Sequence, residues 1–328
     1  MLRPILAPFP AIPTRPRVSL LRRLLGIDAA EASFARRGFA EADPAARRRL
    51  ERVGAAFLHG YNAALEAPAD ELGGRLDDGE PELRGFTHEG AGMALALLDA
   101  LTPWRRGRVA AFLAGAGGPH AYMVHVGAGW AMARLRRRFT AVPRGMDPLL
   151  GWLAADGYGF HEGYFHPRRY VSERRLPSRV SGYALRAFDQ GLGRSLWFVN
   201  GADPARVAQA NARFALHRRA DLWSGAGLAC AYAGPWRRGA AEALARAAGP
   251  HQAALAQGAA FAAGARRRAG NPAPHTDLAC NALCGLDSEA AAAVTDEALH
   301  GLCPRGALPA YETWRLRIQQ HFAVECRA

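Results

Sequence analysis

The stretch Leu222–Gly249 reads LWSGAGLACAYAGPWRRGAAEALARAAG. Small residues crowd one turn of it, at Gly225, Ala226, Gly227 and Ala229, although a glycine inside a helix costs about 1 kcal/mol relative to alanine. Such residues fit a helix whose backbone must approach another closely. Similar phrases recur on both sides: HGYNAAL at Gly60, EGAGMALALLD at Gly90, VGAGWAMARL at Gly127, EGYFH at Gly163, QGLGRSLWF at Gly191 and QGAAFAAGARR at Gly258. The intervals between these glycines and Gly225 are 30, 37, 36, 28, 34 and 33 residues. Self-similarity on that scale is the mark of stacked helical units, and 34 residues is the length of a tetratricopeptide helix pair.

Working outward, YALRAFDQGLGRSLWFV from Tyr183 carries apolar residues at helical spacing. Asp203 then offers an N-cap and Pro204 a first-turn proline, and ARVAQANARFALHRR reads as a second amphipathic helix. The unit after Gly163 holds the polar run HPRRYVSERRLPSRVSG, which reads as a loop, and YETWRLRIQQHFAVECRA reads as a closing helix. Period-2 alternation is scarce. The expected fold is therefore all-α: an α-solenoid or superhelix of about six tetratricopeptide-like units with a helical C-terminal cap. A Pro-rich arm over residues 1–18 precedes a single repeat domain over 19–328, with a short amphipathic helix near VSLLRRLLGI.

The 328 residues include 42 basic and 29 acidic side chains, a net charge of +13, and every basic residue is arginine. The excess suits an acidic partner; plain replacement of lysine by arginine explains the arginines but not the imbalance. Intervals of 28 to 37 residues argue against a base-per-repeat RNA reader, and no nucleic acid is expected as a partner. No run of 18 apolar residues suggests a transmembrane helix, and prolines interrupt any signal core. Five cysteines, an odd and sparse set, fit reduced thiols better than a disulfide framework.

The segment FHEGYFHPRRY resembles the zinc-protease pattern H-E-x-x-H, but His161 and His166 are five apart rather than four and so lie on different faces. Two readings stay open: the segment supplies one metal ligand or an acid/base pair from His161 and Glu162, or His161 is a repeat-junction histidine hydrogen-bonded to a neighbouring helix. THEGAG at Thr87–Gly92 shares His-Glu-Gly with that segment. Regular stacking would turn Glu89 and Glu162 toward one channel, with His125 and Asp189 beside them. The alternative is close helix contacts with satisfied carboxylates. His275, Cys280, Cys284, His300 and Cys303 lack a zinc-knuckle arrangement, so they read as apolar-helix residues; no metal and no cofactor is expected. GAGGPH lacks the Lys-Ser/Thr of a P-loop.

Six phrases carry a resemblance over roughly Ser19 to Ile318: LLRRLLGIDAAEASFARRGF, ERVGAAFLHGYNAAL, LRGFTHEGAGMALALLD, YMVHVGAGWA, LLGWLAADGYGFHEGYFH and DQGLGRSLWF. They are similar to a bacterial family of unassigned role encoded beside the enediyne polyketide synthase in antitumour-antibiotic gene clusters. The resemblance implies a cytoplasmic accessory protein of enediyne core formation, working with the synthase, its acyl-carrier domain, the linear polyene and other accessory proteins. One reading is a scaffold whose Arg136, Arg137 and Arg138 meet an acidic carrier. The other is a cofactor-independent isomerase or cyclase using His161, Glu162, Glu89 and His125, with Trp130, Tyr164, Asp189 and Trp197 along the ligand.

Overall fold

A computed structural model describes residues 20–104, 106–234, 238–303 and 306–325. The Pro-rich arm and Cys326 lie outside them. Among the described residues the regular structure is helical, apart from one isolated bridge between Phe139 and Val180. The helix expected near the N-terminus spans Leu20–Leu25, with Leu20 and Leu24 exposed.

Seven helices form the spine: α1 (Pro44–Glu66), α2 (Arg84–Leu101), α3 (Ala121–Arg134), α4 (Leu153–Phe165), α5 (Ala184–Val199), α6 (Leu216–Ala233) and α7 (Gln252–Ala269). Each packs on the next in chain order. Shorter helices fill several connections, Ala69–Asp77 and Pro204–Ala212 among them. Their starts follow simple rules. Asp43 accepts from the Ala45 and Ala46 amides, with Pro44 in the first turn of α1, and Asp203 does the same for Ala205 and Arg206 ahead of Pro204.

Glycine explains the order of packing. A side chain at Gly60 would run into the Thr87 carbonyl, and one at Gly90 into the Phe57 carbonyl. The same reciprocal contact recurs between Gly92 and Gly127, Gly129 and Gly157, Gly159 and Gly191, Gly193 and Gly225, and Gly227 and Gly258. In each pair, one glycine meets the carbonyl three residues before the other. Residues two apart on a helix differ by about 200°, so a Gly-x-Gly pair places one glycine on each flank. Every central helix is thereby held between two neighbours at backbone contact distance, where Cα–H···O contacts of roughly 0.5–1 kcal/mol each offset the low helix propensity.

This register also sorts the remaining faces. The residue between the two glycines points to one side: Ala91, Ala128, Tyr158, Leu192 and Ala226. The residue before the first glycine points to the other: Glu89, Val126, Asp156, Gln190, Ser224 and Gln257, all buried. Gln190 donates to Asp156 at 2.9 Å and Ser224 to Gln257 at 2.8 Å. Arg194 closes on Asp156 at 2.6 Å and stands 3.9 Å from Glu89. The last long helix, α8 (Ala310–Glu325), adds Tyr311, whose hydroxyl accepts from Gln190, and Arg315, paired with Asp221 at 2.7 Å.

The succession also curls back on itself. Arg49 of α1 donates to the Ala233 carbonyl at the end of α6, Arg266 of α7 donates to the Tyr232 carbonyl, and the Phe86 and Tyr232 rings meet edge to face. The inner face is thus packed against side chains.

Two local expectations change. The glycine that takes the spine position in α4 is Gly157, six residues before Gly163. The run from Ala205 to Arg219 is two helices rather than one: the chain turns at Arg213–Ala215, where the Phe214 amide bonds the Asn211 carbonyl and its ring is buried. The polar run after α4 opens with a π-helical turn at Arg168–Ser172. It then extends past Phe139, which exchanges backbone bonds with Arg179 and Ser181.

Candidate functional site

A cleft of about 1230 Å³ opens beside α4. Tyr158, His161, Glu162 and Phe165 line it; their spacing of 0, 3, 4 and 7 residues puts them on one helix face. The end of α3 adds Arg134 and Arg136, the turn after α4 adds His166, Arg168, Arg169 and Tyr170, and the extended run adds Arg175 and Arg179. Arg37, Glu31 and Asp28 close the N-terminal side. Seven arginines therefore face four carboxylates, Asp28, Glu31, Glu162 and Glu173.

Three of the arginines are neutralised locally, Arg37 by Glu31 and both Arg168 and Arg175 by Glu173. The other four have no carboxylate partner among the described residues. Arg134 donates to the Tyr61 hydroxyl at 3.0 Å, and Arg169 lies over the Tyr170 ring. Arg136 sits at φ 53° just past the end of α3, in the left-handed region where glycine is the usual residue.

At the base of the cleft, His161 Nδ1 and Glu162 Oε1 are 3.2 Å apart, and both residues are buried. Burial holds the His161 pKa below the ordinary imidazole value, against the pull of Glu162. Burial alone would raise Glu162, but hydrogen bonds from His161 and Tyr170 outweigh it and leave the carboxyl below its usual range. The resulting state at neutral pH is a neutral imidazole donating Nδ1–H to a carboxylate. Its Nε2 then carries the lone pair, which is the tautomer of a general base. Burial, reinforced by the Glu162 charge, raises Tyr158 to about 12, so its hydroxyl stays protonated as a hydrogen-bond donor.

The residues expected to share a channel occupy separate places. His161 and Glu162 come together, and Arg136 lines the same cleft with Arg137 and Arg138 exposed beside it. Glu89 is on the inner face instead, in a small cavity with Trp130, Tyr164, Phe57 and Phe160. Trp130 links the two places, its ring 5.6 Å from His161. His125 bonds the Ala121 carbonyl through Nδ1 at 2.8 Å and does not line the cleft. Asp189 is consumed by Arg218 at 2.8 Å, and Trp197 is fully buried with its indole N–H on the Gly234 carbonyl. Tyr158, Tyr170, Arg134 and Arg179 were not among the site residues expected from the sequence, although Arg134 and Tyr170 stand in its basic clusters RLRRRF and HPRRY. The face shared by Tyr158 with His161, Glu162 and Phe165 was the available signal; Tyr170 and Arg179 reach the cleft only through folding of the polar run, and Arg134 through packing of α3 beside α4.

The five histidines and cysteines near the C-terminus do not assemble. His275 faces Glu82 and the Tyr232 carbonyl, Cys280 and Cys284 are buried against the Ala259 and Ala256 carbonyls, and Cys303 is exposed. Cys230, Cys280, Cys284 and Cys303 form no disulfide. No helix among the described residues is long and apolar enough to cross a membrane.

No curated protein and no solved structure matches the chain. The family described as "Protein of unknown function (DUF1702)" matches residues 18–322, which include the whole spine and cleft, and the chain belongs to that family.

Proposed function

We propose that the cleft receives an anionic, carrier-borne ligand, and that the protein acts as an accessory factor of enediyne biosynthesis by binding the polyketide synthase, its acyl-carrier domain or the linear polyene. The observation that supports this is the cleft's own charge, with seven arginines against four carboxylates in a concave site large enough for an extended ligand. Arg134, Arg136, Arg169 and Arg179 supply cation without a carboxylate partner among the described residues, and Phe165, Met93 and Ile27 supply apolar wall. The pathway comes from the resemblance of the six quoted phrases. With it goes a cytoplasmic setting, and the near-34-residue spacing supports reading the spine as tetratricopeptide-like units wound into a superhelix.

A second reading is favoured by the His161–Glu162 pair, which is oriented for proton transfer. On that reading the protein is a cofactor-independent isomerase or cyclase, with His161 as base, Glu162 holding its tautomer and Tyr158 as donor. Glu89 and His125 have no place in that step because neither lines the cleft.

The test is titration of the purified protein with the synthase's acyl-carrier domain loaded with linear polyene, followed by visible absorbance and mass. Saturable binding that weakens at least tenfold in Arg136→Glu and falls with added salt supports the binding reading. A product of changed mass or spectrum, lost in His161→Ala while binding remains, moves the assignment to catalysis. Binding indifferent to Arg136→Glu and to salt removes the cleft from the function.

A further inference from the structure

At the start of α2, at the residue preceding Glu89, three ligand atoms converge. One ring nitrogen each of His88 and His120 and one carboxylate oxygen of Asp77 lie within 4.8 Å of one another. Asp77 ends the short helix Ala69–Asp77, His88 is in the second turn of α2, and His120 opens α3. None of the three lines the cleft.

The arrangement is built rather than accidental. The two imidazoles stack with centroids 3.9 Å apart and planes 26° apart, and Phe112 stacks on His88. Nδ1 of His88 is 2.9 Å from the Arg84 carbonyl, the carbonyl contact that commonly fixes a metal-ligating histidine. The ring also hydrogen-bonds the Ala116 carbonyl, a contact that an ion bound at its second nitrogen would replace. His120 is 6% exposed, and its Nδ1 is buried with no hydrogen-bond partner among the described residues. A buried polar atom without a partner is unfavourable, and an imidazole lone pair satisfied by a cation removes that penalty.

The dimensions agree. Three atoms no more than 4.8 Å apart fit within about 2.8 Å of a common centre, so rotations of less than about 1 Å bring all three to the 2.0–2.2 Å of zinc–nitrogen and zinc–oxygen bonds. Two imidazoles and a carboxylate are the donor set of three-ligand zinc and non-haem iron sites.

We propose that Asp77, His88 and His120 form a three-ligand site for a divalent transition-metal ion, open to solvent at Asp77. The Asp77 side chain is 53% exposed there, and the Arg84 guanidinium, 3.9 Å from its carboxylate, is the competing cation.

Titration of chelator-stripped protein with Co(II), read by visible absorbance, and with Zn(II), read by competition against a chromophoric chelator, tests the site. One ion per chain is expected. Asp77→Ala and His120→Ala should weaken binding at least tenfold, and Arg84→Gln should tighten it. Because Asp77 is exposed, its variant keeps the fold even if His120→Ala does not, and thermal melts verify this. No saturable binding, binding unchanged by Asp77→Ala, or weaker binding in Arg84→Gln would each overturn the proposal.

Discussion

The chain writes His-Glu-Gly twice and folds it to opposite ends. In His88-Glu89-Gly90, the glycine is the spine contact of α2 against α1, and the glutamate is sealed on the inner face. In His161-Glu162-Gly163, the spine glycine is Gly157, six residues earlier, and the glutamate lines the cleft. Six residues turn a helix by about 600°, or 240° net. The residue of α4 in Glu89's place is therefore Asp156, and the residue of α2 in Glu162's place is Leu95. A shared tripeptide thus says nothing about a shared site; the distance from the spine glycine decides which face each carboxylate takes.

The comparison breaks most directly at the spine itself. A side chain at Gly191 would overlap the Asp156 carbonyl and press on the Phe160 amide. Backbone cannot rotate aside, so Gly191→Ala is expected to lower stability by about 3 kcal/mol or more. Gly74 is the control: it is helical, nothing lies within 4 Å of an added Cβ, and Gly74→Ala should raise stability by about 0.5–1 kcal/mol. Denaturant melts of the two variants decide the matter. Equal and small effects would mean that the helices are not in backbone contact.

The second test sharpens the contrast between the two glutamates. Among the described residues neither Glu89 oxygen has a hydrogen-bond partner at normal distance, and only a weak pull from the Trp130 indole reaches the carboxylate. Burial raises its pKa from 4.5 to about 7, with Arg194 pulling down and Asp156 pushing up. A carboxyl raised on folding contributes stability that is fully present below its unfolded pKa and lost as pH rises through the folded one. Stability should therefore fall between about pH 4.5 and pH 7 from this group. Glu89→Gln should flatten that slope and leave the protein about 1–3 kcal/mol more stable than wild type at pH 8. Glu162, which hydrogen bonding holds below its usual range, behaves with the opposite sign: its contribution is present above its unfolded pKa and lost as pH falls. Melts across pH 5–8 read Glu89 and melts carried below pH 4.5 read Glu162, and a Glu89→Gln variant with the wild-type slope would remove the buried proton.

Much of this was legible beforehand. The recurring glycines announced close helix contacts, because no other residue tolerates backbone against backbone, and the apolar spacing from Tyr183 announced helices. The partners in that contact were not legible. Gly163 stands in a phrase that looks like the others, yet it meets the Ser195 side chain and not a neighbouring backbone. Asp189 and Trp197 looked available, but Arg218 lies 29 positions from the aspartate and the Gly234 carbonyl 37 from the indole; such long-range partners have no local signature. The His161–Glu162 pair could be read because its members are adjacent in sequence. The arginines around it could not, since three separated segments bring them together.

Arg136 carries the smallest expected change in stability and the clearest separation of the two regions. Its φ of 53° places it where a side chain is unfavourable, and its amide closes the end of α3 on the Ala133 carbonyl at 2.9 Å. Glycine there relieves the backbone, at the expense of a freer unfolded chain. Arg136→Gly is therefore expected to leave stability unchanged or raise it, by no more than about 1 kcal/mol. The same change removes a cleft cation that has no carboxylate partner among the described residues, so affinity for the polyene-loaded carrier domain should fall, and its salt dependence should become shallower. In the spine a methyl group on glycine unfolds the protein; at the cleft a glycine in place of arginine leaves the fold intact and weakens the ligand. A variant that loses stability and keeps affinity would mean that Arg136 holds the end of α3 rather than the ligand.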